Sequence, residues 1–172
     1  MSDVQDFSPI FTQALAQSID SVVVIDSQNR VILFNDAAET LWGNERDQVL
    51  GQNVRLLVPD MIRADHDSYI DANRRSGINR IVGSSRDVLI ERPDGDHRWG
   101  AMSISRVNAS GQLFYVAIVK DITRQHKEHE RLQLLSLVVD TTENAIIITD
   151  GQWSMVYANG GFTRMFGYDL DQ

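Results

Sequence analysis

The spacing of apolar positions changes along the chain, and each change marks an element. Over Ser8–Ile19, Ile10, Phe11, Ala14 and Leu15 form one stripe at helical spacing, with Ser8 placed to cap and Pro9 at the first helical position. Val22-Val23-Val24-Ile25 is a β-branched run that predicts a buried strand. Asp26-Ser27-Gln28-Asn29 is turn chemistry, and Val31-Ile32-Leu33-Phe34 predicts a second strand. Asn35 is placed to cap a helix through Trp42, which Gly43 stops. Arg46–Leu57 reads as short helical pieces broken by Gly51. Pro59 then opens a longer helix, expected to run to about Ser76 and to end at Gly77.

After Gly77 the period falls to two. Ile81–Arg92, His97–Val107 and Leu113–Asp121 predict three strands, joined by turns at Pro93-Asp94-Gly95 and Asn108–Gly111. Sequential strands joined by short turns are antiparallel. The order is two strands, several helices, then three strands. It predicts an α+β domain with helices gathered on one face of a five-stranded antiparallel sheet. Residues 122–140 predict a connecting helix, with Ile122, Leu132, Leu135 and Val139 at helical spacing. A two-stranded coiled coil and a solvated linker helix fit that pattern equally.

The opening pattern occurs twice. A shift of 124 residues lays Asp26 on Asp150, Gln28 on Gln152, Asn35 on Asn159 and Gly43 on Gly167, and Val22-Val23-Val24 on Ile146-Ile147-Ile148. The second copy stops before its long helix and its three-stranded tail, so it is not expected to close a core of its own. The expected organisation is an N-terminal amphipathic helix over 1–19, a complete domain over 20–123, a connecting helix over 124–140, and the front of a second domain over 141–172.

Charge and composition narrow the function. Sixteen basic against 24 acidic residues give a net charge of −8, which argues against nucleic acid or an anionic membrane as partner. With no cysteine, the chain has no disulfide, thiolate zinc site, iron–sulfur cluster or cysteine nucleophile. No apolar run approaches the roughly 20 residues needed to span a bilayer. The first residues lack a signal-peptide pattern, so a cytoplasmic protein is expected. No phosphate-binding glycine loop and no hydrolase or metalloprotease motif is present, and nothing assembles nucleophile, base and oxyanion donors. A regulatory module, not an enzyme, is expected.

Two residues carry candidate chemistry. Ile62, His66, Tyr69 and Asn73 fall on one helical stripe, which turns the His66 imidazole inward beside Ile62 and Tyr69. A neutral imidazole nitrogen suits haem iron, and a buried histidine bonded to a backbone carbonyl fits the same spacing. Arg86, on an alternating strand, shares a face with Val88 and Ile90, where a guanidinium needs a partner. A strand-edge arginine that reaches solvent or pairs with Asp87 is the plainer reading. His126-x-x-His129 has i, i+3 spacing that could touch a metal, though a solvated helix face explains it as well. His97, beside the Pro-Asp-Gly turn, is expected to be exposed.

The paired openings VVVIDSQNRVILFNDAAETLWG and IIITDGQWSMVYANGGFTRMFGY resemble those of PAS domains, and so do VLGQNVRLLVP, RPDGDHRW and LFYVAIVKDIT. The resemblance covers residues 18–123 and again 142–172. The segment LLVPDMIRADHDSYIDANRRSGINRIVGSSRDVLIERPDG is similar to the haem-binding oxygen sensors of the FixL and DosP type. That resemblance implies His66 as the ligand of the iron of haem b. It implies Arg86, twenty residues on, as the contact to bound oxygen. Tyr69 would line the haem beside His66, Asn73 and Arg80 would hold the propionates, and Ile81, Met102 and Ile104 would form the apolar distal wall. The DosP type carries a methionine ligand two residues before the arginine, where this chain has Ser84. The gas-free ferrous form is therefore expected to be five-coordinate, with Met102 open as a substitute ligand.

The implied function is a sensor of oxygen, with CO and NO as alternative gases. Homodimerisation is expected through Ser8–Ile19 and the 122–140 helix. The implied target is a C-terminal output domain, a histidine kinase or a cyclic-di-GMP synthase or phosphodiesterase in the similar families. An FAD-binding redox sensor and a cofactor-free dimerisation module are the competing readings, and an absorption spectrum separates all three.

Overall fold

The computed structural model describes residues 8–76, 83–109 and 111–168. The chain forms two compact units, one ending at Thr123 and one beginning at Arg124. In the first, α1 (Ser8–Ala16) leads to β1 (Ser21–Ile25) and β2 (Val31–Phe34). There follow α2 (Asp36–Trp42), α3 (Arg46–Val49), a single 3-10 turn (Val54–Leu57), α4 (Asp60–Arg63) and α5 (His66–Ser76). The unit closes with β3 (Ser85–Glu91), β4 (His97–Ala109) and β5 (Gln112–Asp121). All neighbouring strands are antiparallel, in the order β2-β1-β5-β4-β3. The α+β class and the five-stranded antiparallel sheet are as the apolar pattern predicts. The order, which seats the first strand beside the last, is new.

β1 is apolar at every position after Ser21 and buried along its whole length, as a strand with a neighbour on each side must be. From the inner sheet face Val23, Ile25, Ile90, Tyr115 and Val119 pack against Phe34, Ala38, Leu41, Trp42, Val49 and Leu57. The indole N–H of Trp42 donates to the Leu57 carbonyl at 3.0 Å, so the buried ring leaves no donor unmatched. Gly100 is required where β4 crosses this core: a Cβ there would stand 2.5 Å from Cγ1 of Val119.

The joint between strands and helices is Asn35. Its Oδ1 accepts the N–H of Val22 at 2.9 Å and that of Ala38 at 3.0 Å, so it caps α2 and ties it to β1. Its Nδ2 donates to the carbonyls of Leu15, Ser18 and Asp20, the last turn of α1 and the chain beyond it. This changes one boundary. The stripe predicts α1 to Ile19, but the helix stops at Ala16 and Ile19 is 97% exposed, because Asn35 draws the following carbonyls toward β1. Gly43 ends α2 at φ +72°, as expected.

Two further boundaries differ. The long helix from Pro59 to Ser76 is two helices, with Pro59 at the N-cap of the first and a break at Ala64-Asp65. Among the described residues β3 starts at Ser85; Ile81, expected at the start of that strand, lies outside them. Gly83 precedes the strand at φ +83°, with its N–H on the Ile104 carbonyl at 3.1 Å.

The second unit carries α6 (Thr123–Thr141, its first residue in the first unit), β6 (Ile147–Thr149), β7 (Met155–Ala158) and α7 (Gly160–Phe166). Asn159 repeats the Asn35 circuit with one carbonyl fewer. Oδ1 accepts from Ile146 and Phe162, and Nδ2 donates to the carbonyls of Val139 and Asn144. Both faces of the short β6 are exposed.

Asn35→Ala leaves buried amides and carbonyls without partners, at roughly 1–3 kcal/mol each for those that water cannot reach. Urea denaturation is expected to show a loss of about 3–4 kcal/mol. Asn35→Asp, which keeps the acceptor but sets a buried carboxylate against the carbonyls of Leu15, Ser18 and Asp20, should destabilise at least as much.

Candidate functional site

The site is built where α5 meets the sheet beyond α4. The α4 turn ends as Asp65 donates its N–H to the Ile62 carbonyl at 3.3 Å. The Asp65 carbonyl then accepts from the hydroxyl of Ser68 at 2.6 Å and the N–H of Tyr69 at 3.1 Å, which starts α5 afresh. His66 is therefore the first residue of a helix, not the middle of one. The restart turns the helix. Its half-covered residues are His66, Asp67, Ile70 and Asp71, at the i, i+4 spacing of one inward face. Ile70 packs on the core.

This corrects the stripe. Ile62 is 46% and Tyr69 57% exposed, so neither flanks an inward imidazole as expected. The break at Ala64-Asp65 separates Ile62 from α5, and within α5 the covered face runs through His66 and Ile70 and leaves Tyr69 outside it. Ile70 is the residue the spacing passed over, and its signal was present in the pair His66, Ile70.

His66 is half-buried, and its Nδ1 is buried with no hydrogen-bond partner among the described residues. Burial pushes the imidazole pKa below its usual value; the Asp67 carboxylate opposes this, and the Arg86 guanidinium lowers it further. The ring is thus held neutral, the form that binds a metal. Arg86 lies near the start of β3, opposite Met102 of β4, which lies opposite Val119 of β5. Cross-strand partners share a face, so Arg86 belongs to the inner face with Val88 and Ile90, as alternation predicts. Its side chain is exposed at this end of the strand, in keeping with the strand-edge alternative rather than with enclosure among apolar neighbours. The strand end is open here, and the inner face becomes fully buried only at Ile90.

Met102 and Ile104 lie on the same inner face and are half-buried, together with Val88, Leu113 and Ala117. Ile104 stands opposite Ala117. They make an apolar wall that is less covered than the Val119 and Tyr115 core beside it. Arg80, Ile81 and the side chain of Asn73 lie outside the described residues. Ser84 is exposed, on the chain entering β3.

The clearest feature that the spacing did not reveal is polar. Asp67 accepts from the Nδ2 of Asn29 at 2.9 Å, and from the Nδ2 of Asn53 at 3.2 Å on Oδ1 and 3.0 Å on Oδ2. Asn29 is 5% exposed, with φ +62°. The only signal in the chain was an asparagine at a turn position.

The connecting-helix histidines do not converge. His126 Nδ1 lies 3.3 Å from Glu130, whereas His129 Nε2 contacts the Gln133 amide at 2.9 Å. Among the described residues no group of three or more His, Asp or Glu side chains could hold a metal ion. His97 is exposed, as expected. Among the described residues no helix is long and apolar enough to cross a membrane.

Comparison with known proteins places this arrangement. A family model described as PAS domain matches residues 19–124, and a second PAS domain model matches residues 130–172. The Escherichia coli (strain K12) protein named oxygen sensor protein DosP is 36% identical over 163 residues, 95% of this chain and 20% of its own length. The sensor protein FixL of Bradyrhizobium diazoefficiens is 35% identical over 116 residues, 67% of this chain and 23% of its own. The chain thus spans about a fifth of the length of the curated relatives it matches. Among solved structures, a PAS domain from Colwellia psychrerythraea superposes with a TM-score of 0.55 at 23% identity, over 69% of this chain and 99% of that one, which shows the fold. A sensory module with this sheet, these motifs and these matches is a member of a known family: the chain belongs to the PAS domain family.

Proposed function

We propose that residues 20–123 form a haem-based oxygen-sensing PAS domain, with haem b held through His66. The observation that carries this is the His66 imidazole: half-buried, its pKa lowered by burial and by the charge of Arg86, its buried Nδ1 unmatched among the described residues. A buried polar group left unmatched costs roughly 1–3 kcal/mol, and a partner brought in from outside offsets that cost. The likeness to oxygen sensor protein DosP and sensor protein FixL supports the same group.

Bound haem supplies an iron that takes up a diatomic gas reversibly. The protein's own residues supply the rest. His66 holds the group from α5. Met102 and Ile104 present the apolar wall that keeps water away from it, and Arg86 offers a cation to a ligand of anionic character. Tyr69, exposed on the outer side of α5, leaves the lining to Ile70. Asn73, Arg80 and Ile81 keep the roles that the family pattern suggests, the first two toward the propionates.

The readout follows the ladders. A gas shifts the protein only by favouring one of its conformations. Arg86 on β3 is coupled through β4 to β5, which ends at Asp121. Asp121 Oδ1 accepts the N–H of Thr123 at 2.8 Å, and the Thr123 hydroxyl accepts the N–H of Trp99 at 2.9 Å. A shift in β3 or β4 therefore reaches the first residue of α6. The reading extends to a cytoplasmic protein in which the helix over 124–140 passes the change, through a second PAS domain over 141–172, to an output domain. Pairing of two copies completes it. Leu132, Leu134, Leu135, Leu137 and Val138 are all exposed on the last turns of α6, and Ile10 on α1.

The absorption spectrum of the purified protein is the first test: a sharp Soret band is expected, whereas two-humped blue absorption would mean FAD. His66→Ala should purify folded and nearly free of haem; stoichiometric haem with an unchanged ferrous spectrum would remove His66 from the ligand role. Arg86→Ala should weaken oxygen affinity about ten- to a hundredfold, the weight of a charged hydrogen bond, and leave CO affinity within a few-fold. Equal losses for both gases would assign Arg86 to pocket structure alone. Light scattering at high micromolar concentration should report a dimer, and a monomer would overturn the pairing through α1 and α6.

A further inference from the structure

We infer that Asp67 is a positioning residue for His66, held by a clamp of two asparagines, Asn29 and Asn53. The inference rests on the haem reading above and adds the device that aims its ligand.

The helix α5 needs such a device. It is strongly polar in sequence, and among its described side chains only Ile70 belongs to the apolar core packing. Its first residue is His66, at a helix end, where the backbone frays most easily. Apolar packing through one isoleucine, a full turn further on, leaves the first turn free to tilt and rotate. The three hydrogen bonds on the Asp67 carboxylate act on that first turn, one residue from His66. Bonds to an ionised acceptor are stronger than neutral ones, and two donors on one carboxylate fix its direction as well as its place.

The donors are themselves held. The Asn29 N–H donates to the Asp26 carbonyl at 3.2 Å, and its carbonyl accepts the N–H of Val54 at 2.8 Å. Asn53 caps the 3-10 turn through Arg55 N–H at 2.8 Å, and Arg30 and Asn53 form a bridge. The clamp therefore ties α5 to the β1–β2 turn and to the loop before the 3-10 turn, both anchored on the sheet. Residues 66 and 67 are about 100° apart around the helix. Pinning Asp67 toward the asparagines thus fixes the azimuth at which the His66 ring leaves the helix.

The test uses the whole 172-residue chain, haem-free and loaded with hemin. In the haem-free protein, Asp67→Ala should shift the His66 ring resonances and speed amide exchange at Ile70 and Asp71 at least tenfold. Protection at Val23 and Ala117, in the sheet, should stay within twofold. Asn53→Ala, which leaves Asp67 one donor, should move the same signals less, and it carries the test alone if Asp67→Ala does not fold. In the loaded protein, haem transfer to excess apomyoglobin should be at least tenfold faster for Asp67→Ala. Unchanged His66 resonances and Ile70 exchange in the folded variants would overturn the inference, as would altered signals with haem transfer within twofold of the parent. If the signals move but the parent takes up no hemin, the clamp stands and the haem reading fails.

Discussion

The pairing of β1 with β5 is the constraint on which the first unit depends. Ser21 to Ile25 run antiparallel to Val119 to Tyr115, so the opening strand lies between its immediate successor β2 and the last strand of the unit, β5. A strand with neighbours on both sides and packing on both faces must be apolar throughout, and β1 is apolar from Val22 to Ile25. The pairing closes a long loop that contains β2, the helices α2 to α5, β3 and β4. The helices have nowhere to bury their apolar sides except the inner face of the sheet that the pairing creates.

That face is not uniform, and its unevenness makes the site. Beside β1 it is densely covered, with Val119 and Ile90 fully buried under Phe34, Leu41 and Trp42. Toward β3 and the far half of β4 the cover thins, and Met102, Ile104 and Val88 are left half-buried. The polar helix α5 packs on the core through Ile70, and its His66 lies within reach of the Arg86 charge. It presents an imidazole that burial holds neutral and that finds no hydrogen-bond partner for its inner nitrogen among the described residues. The apolar wall, this imidazole and the guanidinium at the strand end are each placed by a different element.

The same carboxamide circuit serves both units. Asn35 joins the end of α1 to β1 and α2, and Asn159 joins the end of α6 to β6 and α7. In each case one buried side chain matches amides on one side and carbonyls on the other, and it sets where the incoming helix stops. α6 is in this respect to the second unit what α1 is to the first. Its start is held as firmly, by the Thr123 hydroxyl on Trp99 and the Asp121 carboxylate on Thr123.

By itself the sequence determined the class of fold, the repeat and most element boundaries, because these are written in short-range terms. Period two after Gly77, the β-branched run at Val22, Asn35 before a helix and Gly43 after it each act within a few residues. It also singled out His66 and Arg86, through their spacing and the family pattern around them. Tertiary structure alone decided three things. The strand order depends on which edge β1 finds, and no local pattern encodes a partner so far along the chain. The aim of α5 depends on a helix break at Ala64-Asp65 and on a carboxylate met by two asparagines from separate loops. That is why Ile70 faces inward where the stripe had placed Tyr69. The exposure of Arg86 depends on how far the cover of the inner face extends along β3. Periodicity assigns a side chain to a face, but only the packed neighbours decide whether that face is covered.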